Sequence, residues 1–345
     1  MAWLPLRTRL FTTLLDRGVR GSIIDMDLAE IQRSRAFTAP LRRPFTWITG
    51  AVPRDVRIGD AWFTTRDGVG RQVRTYLPSG RTGGQPSGAA RGAPAAYPVV
   101  VFFHGGGWVL GNTRMYDPLC ATIAARAEAL VVSVDYRMAP EHRAPTAVHD
   151  AVDATRWLAD EGAARLGGDP TRIAVCGDSA GGNLAALVCH AALDDGGPAI
   201  AHQALIYPGV DLSMSMLVRE HANAPVLTQA KIEAFLRHYF GPDPQLSPRD
   251  PSISPYWRES LRGLPPALVQ TADLDPLRDE GLAYAARLTA AGVPTRVTNY
   301  LGAVHGFASF PGMTLIGRQA TLELVTELHR HLHPAGSPTA TQWHE

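Results

Sequence analysis

Ser179 stands at the centre of Gly177-Asp178-Ser179-Ala180-Gly181. The apolar run from Arg172 to Cys176 before it reads as a buried strand. The stretch from Gly182 to Val188 after it reads as a helix. A strand, a tight Gly-x-Ser-x-Gly turn and a helix make a nucleophile elbow, which lifts a serine hydroxyl clear of a sheet. Side chains at Gly177 and Gly181 would collide with neighbouring backbone in so sharp a turn. The following helix brings its first N–H groups beside any oxyanion that forms there.

A serine hydroxyl is a weak nucleophile at neutral pH and needs a base, which in turn needs an orienting acid. On this kind of scaffold the chain order is serine, acid, histidine. Most histidines after Ser179 fall within expected helices or strands or in the tail. His305 instead falls in a short loop, Gly302-Ala303-Val304-His305-Gly306-Phe307, where two glycines allow a bend toward the serine. For the acid, Asp273, Asp275 and Asp279 all follow an expected strand. Pro276 keeps Asp275 out of helical geometry, which favours Asp275, with Asp273 as the fallback. Asp279 and Glu280 read as first-turn acids of a helix. Gly105, Gly106 and Gly107, in the run His104-Gly105-Gly106-Gly107-Trp108, can offer unobstructed backbone N–H groups to an oxyanion. Ala180 offers another. The run lacks a phosphate-loop signature.

These groups need elements to hold them. The 345 residues suffice for one large α/β domain with insertions. Pro98 to Phe103, Ala129 to Val134, Arg172 to Cys176, His202 to Tyr207, Ala267 to Thr271 and Thr295 to Tyr300 read as strands. Helices are expected near 117–127, 146–161, 280–290 and 317–331. Strands alternating with helices predict a mostly parallel sheet with helices on both faces, and ligands then bind beyond the carboxyl ends of the strands. Ahead of these lies an antiparallel hairpin, from Ala61 to Leu77. Residues 1–50 form an N-terminal helical segment outside the sheet, and 51–334 form the main domain. Residues 209–263 read as a cap insertion carrying one helix, Gln229 to Tyr239. Residues 78–97 read as a flexible loop and 335–345 as a frayed tail.

Composition narrows the function class. The 33 basic and 32 acidic residues leave a net charge of +1, which gives no nucleic-acid footprint. No run reaches the ~18 apolar residues of a membrane span, and no signal peptide is legible, so a cytoplasmic enzyme is expected. Cys120, Cys176 and Cys189 have no metal-ligand spacing. No cofactor and no metal is expected.

Four motifs in this order, His104 to Trp108, Gly177 to Gly182, Asp275 to Glu280 and His305-Gly306-Phe307, resemble the hormone-sensitive-lipase family of bacterial esterases, in its Gly-Asp-Ser-Ala-Gly branch. Asp135-Tyr136-Arg137-Met138-Ala139-Pro140-Glu141-His142 fits the same family, and the likeness runs from about residue 55 to 333. The resemblance implies an α/β-hydrolase fold with a helical cap. It implies Ser179 as nucleophile, His305 as base and Asp275 as orienting acid, with Gly106, Gly107 and Ala180 as oxyanion donors. A small ester is the expected substrate, of short to medium acyl length, contacted by Trp108, Asp178, Phe235 and Tyr239. A homodimer is compatible with the family. An amidase or lactonase could use the same triad. The plant gibberellin receptors resemble the family too but lack the catalytic histidine, which His305 here supplies.

Overall fold

The computed structural model describes residues 4, 6–16, 22–79 and 96–334. The expected tail, 335–345, and most of the expected 78–97 loop lie outside these residues. Eight strands form one sheet: β1 (Val56–Thr64), β2 (Gly70–Pro78), β3 (Tyr97–Phe103), β4 (Leu130–Val134), β5 (Gly168–Asp178), β6 (Ile200–Ile206), β7 (Ala267–Leu274) and β8 (Thr295–Val304). Their order is β1-β2-β4-β3-β5-β6-β7-β8. The hairpin β1–β2 joins β4 antiparallel; every pairing from β4 to β8 is parallel.

The helices are α1 (Leu6–Asp16), α2 (Leu28–Arg35), α3 (Phe45–Thr49), α4 (Asp117–Ala127), α5 (Thr146–Trp157), α6 (Ala163–Arg165), α7 (Ala180–Asp194), α8 (Gln229–Phe240), α9 (Arg278–Ala290) and α10 (Leu315–Leu332). A π-helical turn over Leu158–Gly162 links α5 to α6. Two cores flank the sheet. Val99, Val101 and Phe103 of β3 point into the one covered by α5, α7 and α9. Val100 and Phe102 point into the other, beneath α4 and α10. A strand buried on both faces carries mostly apolar side chains on both, which is why β3 reads as an apolar run and β4 as one broken only at Ser133.

β7 and β8 run further than the apolar pattern suggests, to Leu274 and Val304. Their pairing continues across an irregularity at Ala272/Leu274. The Asp273 carboxylate accepts the Gly302 N–H at 3.1 Å, so a polar side chain replaces part of the regular ladder. As a result His104, Ser179, Asp275 and His305 each immediately follow a strand end, β3, β5, β7 and β8 respectively. Four parallel strands thus deliver four polar side chains to one rim.

Candidate active site

The elbow is held from three sides. Ser179 adopts φ 55° and ψ −119°, a conformation that costs an L-residue about 1–3 kcal/mol. Its N–H donates to the Ile206 carbonyl at 2.8 Å, and its carbonyl accepts from the N–H groups of Asn183 and Gly209. A Cβ on Gly181 would meet the Phe103 carbonyl oxygen at 1.9 Å, and one on Gly177 would meet the Gly181 carbonyl oxygen at 2.2 Å. The backbone of β3 and α7 therefore approach at a distance only glycine permits.

His305 Nε2 lies 2.9 Å from Ser179 Oγ, and its Nδ1 lies 2.6 Å from Asp275 Oδ2. A carboxylate only accepts, so Nδ1 carries the ring proton and Nε2 is left to accept the serine O–H. Asp275 is fully buried, and its second oxygen accepts the Leu277 N–H at 2.9 Å. Asp273 is engaged elsewhere, with Gly302 and with Arg278. Asp279 pairs with Arg278 on the surface side.

Gly106, Gly107 and Ala180 line a cavity of about 850 Å³ together with Ser179, His305 and Trp108. The N-terminal helices close part of its wall through Phe11, Phe45 and Ile48. The 209–263 segment closes more of it through Leu212, Ile232 and Phe235. The N-terminal segment is fastened to the loop after Trp108. Arg35 Nε donates to the Val109 carbonyl at 2.7 Å and Nη1 to Glu141, while Asn112 Nδ2 donates to the carbonyls of Arg35 and Phe37. Phe235 sits so close to Gly107 that a Cβ there would lie 2.3 Å from its ring.

The structure departs from the sequence reading at Gly105 and Tyr239, and it adds buried contacts at Asp178 and Glu280. Gly105 offers no donor to the cavity: its N–H is directed at Asp178 Oδ1, 2.8 Å away, with the Tyr116 hydroxyl at 3.1 Å. Asp178 borders the cavity, but its carboxylate also takes the hydroxyls of Tyr116 and Tyr207, at 3.1 and 3.3 Å. Burial pushes this carboxyl up to about 6, against the lowering pull of those donors and of His305. Tyr239 is wholly buried and stacks behind Trp108 at 4.5 Å between ring centroids, so it supports the wall rather than forming it. Glu280 does lie in the first turn of α9, yet it is buried. Its Oε1 accepts the N–H groups of Val210 and Asp211 at 2.6 and 3.1 Å, fixing the chain where the sheet gives way to the insertion. Burial drives its pKa well above the usual carboxylate range.

Tyr116, Tyr136 and Tyr207 were not legible as site residues. Tyr136 donates to the His104 carbonyl at 2.6 Å, and with the other two tyrosines it braces the glycine loop from below. Only their position one or two residues beyond an apolar run, or at a helix start, hints at this.

Among the described residues no helix is long and apolar enough to cross a membrane. The three cysteines are free and buried.

Known proteins similar to this chain share its fold. Residues 100–309 match the family model described as alpha/beta hydrolase fold. The chain is 46% identical over 242 residues to carboxylesterase NlhH of Mycobacterium tuberculosis, covering 68% of this chain and 74% of that one. It is 33% identical over 317 residues to an ethyl acetate hydrolase of Pseudomonas putida, covering 90% and 94%. A hyperthermophilic esterase from the archeon Pyrobaculum calidifontis superposes with a TM-score of 0.77 at 35% identity, over 94% of this chain and 98% of that one. The chain belongs to the α/β-hydrolase fold family, in its hormone-sensitive-lipase branch of esterases.

Proposed function

We propose that this protein hydrolyses carboxylic esters of short to medium acyl length through an acyl-enzyme on Ser179. The observation that carries the reading is the hydrogen-bonded line Ser179 Oγ, His305 Nε2, His305 Nδ1, Asp275 Oδ2, with links of 2.9 and 2.6 Å. The printed activities of the relatives, carboxylesterase and ethyl acetate hydrolase, support it.

In this reading His305 Nε2 takes the serine proton as Oγ attacks the ester carbonyl carbon. Asp275 fixes the reactive tautomer and stabilises the imidazolium that forms. The tetrahedral oxyanion turns toward the N–H groups of Gly106, Gly107 and Ala180, where each donor is worth about 10²–10³ in rate. His305 then gives its proton to the departing alcohol. Water, deprotonated by the same Nε2, attacks the acyl-enzyme carbonyl, and collapse returns Ser179 with release of the acid. The strained Ser179 backbone and its three hydrogen bonds hold Oγ in place before substrate arrives, so little reorganisation remains for the reaction step.

Turnover of p-nitrophenyl butanoate tests the reading. The wild-type chain should release p-nitrophenolate continuously, and Ser179→Ala and His305→Ala should each lose most of kcat while remaining folded. Asp275→Asn should lose on the order of 10⁴. Near-normal turnover by Asp275→Asn, with Asp273→Asn inactive, would reassign the acid.

A further inference from the structure

Away from the catalytic rim, at the opening end of β6, three ligand-type side chains come together. His202 is the first fully buried residue of β6 and faces α10. Glu327 and His331 stand four residues apart on α10 and so share one face of that helix. One donor atom from each of the three lies within 4.8 Å of the others. The His202 and His331 rings stack at 4.2 Å.

Two further observations point to a cation. His202 has no solvent exposure; one ring nitrogen faces the Pro266 carbonyl without good hydrogen-bond geometry, and the other has no partner. Leaving a buried polar atom unpaired costs about 1–3 kcal/mol. The second observation is Arg330. Its Nη2 sits 2.5 Å from Glu327 Oε2 and 3.1 Å from His331 Nε2, so a positive group already bridges the carboxylate and the imidazole. Arg330 is mostly exposed and can swing into solvent; Arg296, on the other Glu327 oxygen at 3.4 Å, is also largely exposed.

We propose that His202, Glu327 and His331 bind a divalent first-row transition ion of the zinc class, in place of the Arg330 guanidinium. Two imidazoles and one carboxylate suit zinc, with water completing a tetrahedron on the open His331 side. Ligand bonds of about 2.1 Å put donors about 3.4 Å apart, so each pair must close by roughly 1.4 Å at most; an imidazole binds metal in its ring plane, so the His331 ring must also turn out of its stack on His202, and the Glu327 carboxylate must shift as Arg330 leaves it. His202 lies four residues from the catalytic end of β6, about 13 Å. The ion would tie the last turns of α10 to β6 and take no part in ester chemistry. The spacing of Glu327 and His331 is visible in the sequence; their meeting with His202 depends on the fold.

Equilibrium dialysis of the full chain against micromolar zinc, with bound metal measured by atomic emission, tests this. The wild type should retain about one zinc per chain and unfold at a higher temperature with zinc than without. His331→Gln and Glu327→Gln should each weaken binding at least tenfold and remove the thermal shift, and Arg330→Gln should tighten binding. His329→Gln and His333→Gln, which alter a neighbouring stacked histidine pair, should leave it unchanged. Absence of retained zinc, binding indifferent to His331→Gln, or binding lost on His329→Gln would each overturn the proposal.

Discussion

The carboxylate of Asp178, the residue before Ser179, accepts the Gly105 N–H at 2.8 Å. This bond joins the elbow to the glycine loop. It fixes the spacing between Ser179, carried by β5, and Gly106 and Gly107, carried by the end of β3. Loosening it should move the proposed oxyanion donors, Gly106 and Gly107, relative to Ser179. Asp178→Asn keeps a carbonyl oxygen for Gly105, and the hydroxyls of Tyr116 and Tyr207 can rotate to accept from the amide. We expect a loss of tenfold or less in kcat for Asp178→Asn and about a hundredfold for Asp178→Ala, the order of one lost oxyanion donor. Steady-state kinetics with p-nitrophenyl butanoate, beside circular dichroism to verify folding, decides it; an Asp178→Ala enzyme with wild-type kcat would disconnect the loop from this carboxylate.

The same carboxyl links stability to pH. Its folded pKa, about 6, lies above its ordinary 3.8, so between these values the folded chain holds a proton that the unfolded chain has released. Stability then falls as pH rises across that window and levels off above it. The shift corresponds to about 3 kcal/mol. Urea unfolding from pH 4 to 7 should show wild type losing stability relative to Asp178→Asn by an amount of that order. A difference between the two proteins that stays flat with pH would count against the raised pKa.

Glu280 accepts two buried backbone N–H groups through one oxygen. A neutral amide can take over that role, since burial already disfavours the charged carboxylate. Glu280→Gln should therefore stay within about 1 kcal/mol of wild type, whereas Glu280→Ala leaves both N–H groups unpaired and should cost about 2–5 kcal/mol. Thermal denaturation of the two variants compares them directly, and equal stability of both would remove Glu280 from its anchoring role.

The apolar wall of Leu212, Ile232 and Phe235 sets an expectation for acyl length. Each methylene buried contributes about 0.8 kcal/mol. If this is realised in the transition state, kcat/KM rises about fourfold per methylene until the pocket is full. A p-nitrophenyl ester series should peak at butanoyl to hexanoyl and fall by hexadecanoyl, with no jump as the substrate forms droplets. A steady rise through hexadecanoyl would describe a lipase instead.

Much of this was legible in the amino-acid order because the decisive residues sit at the ends of apolar runs. β3, β4 and the last part of β5 are buried on both faces and announce themselves. Ser179 and His104 then follow by position. His305 and Asp275 were found through chain order, although the strand ends beside them were set short. Asp273 and Gly302 hold those ends with a side-chain bond, for which apolar patterning carries no signal. The support behind the site was less legible. Whether Tyr239 faces the substrate or backs Trp108 depends on how α8 is rotated against the sheet. Whether Gly105 donates to an oxyanion or to Asp178 depends on one peptide orientation. Glu280 looks like a helix-start acid in sequence and acts as a buried anchor because the insertion folds back onto it.

In the proposed reaction Ser179, activated by His305, becomes covalently acylated. Reaction with diethyl p-nitrophenyl phosphate tests it most directly, since phosphorylation of the serine releases one p-nitrophenolate and leaves a stable adduct. Peptide mapping by mass spectrometry should place a single diethylphosphoryl group on Ser179, with one equivalent of p-nitrophenolate released per chain and a parallel loss of esterase activity. His305→Ala should label far more slowly. An adduct on another residue, or full activity in a chain whose Ser179 is modified, would contradict the account.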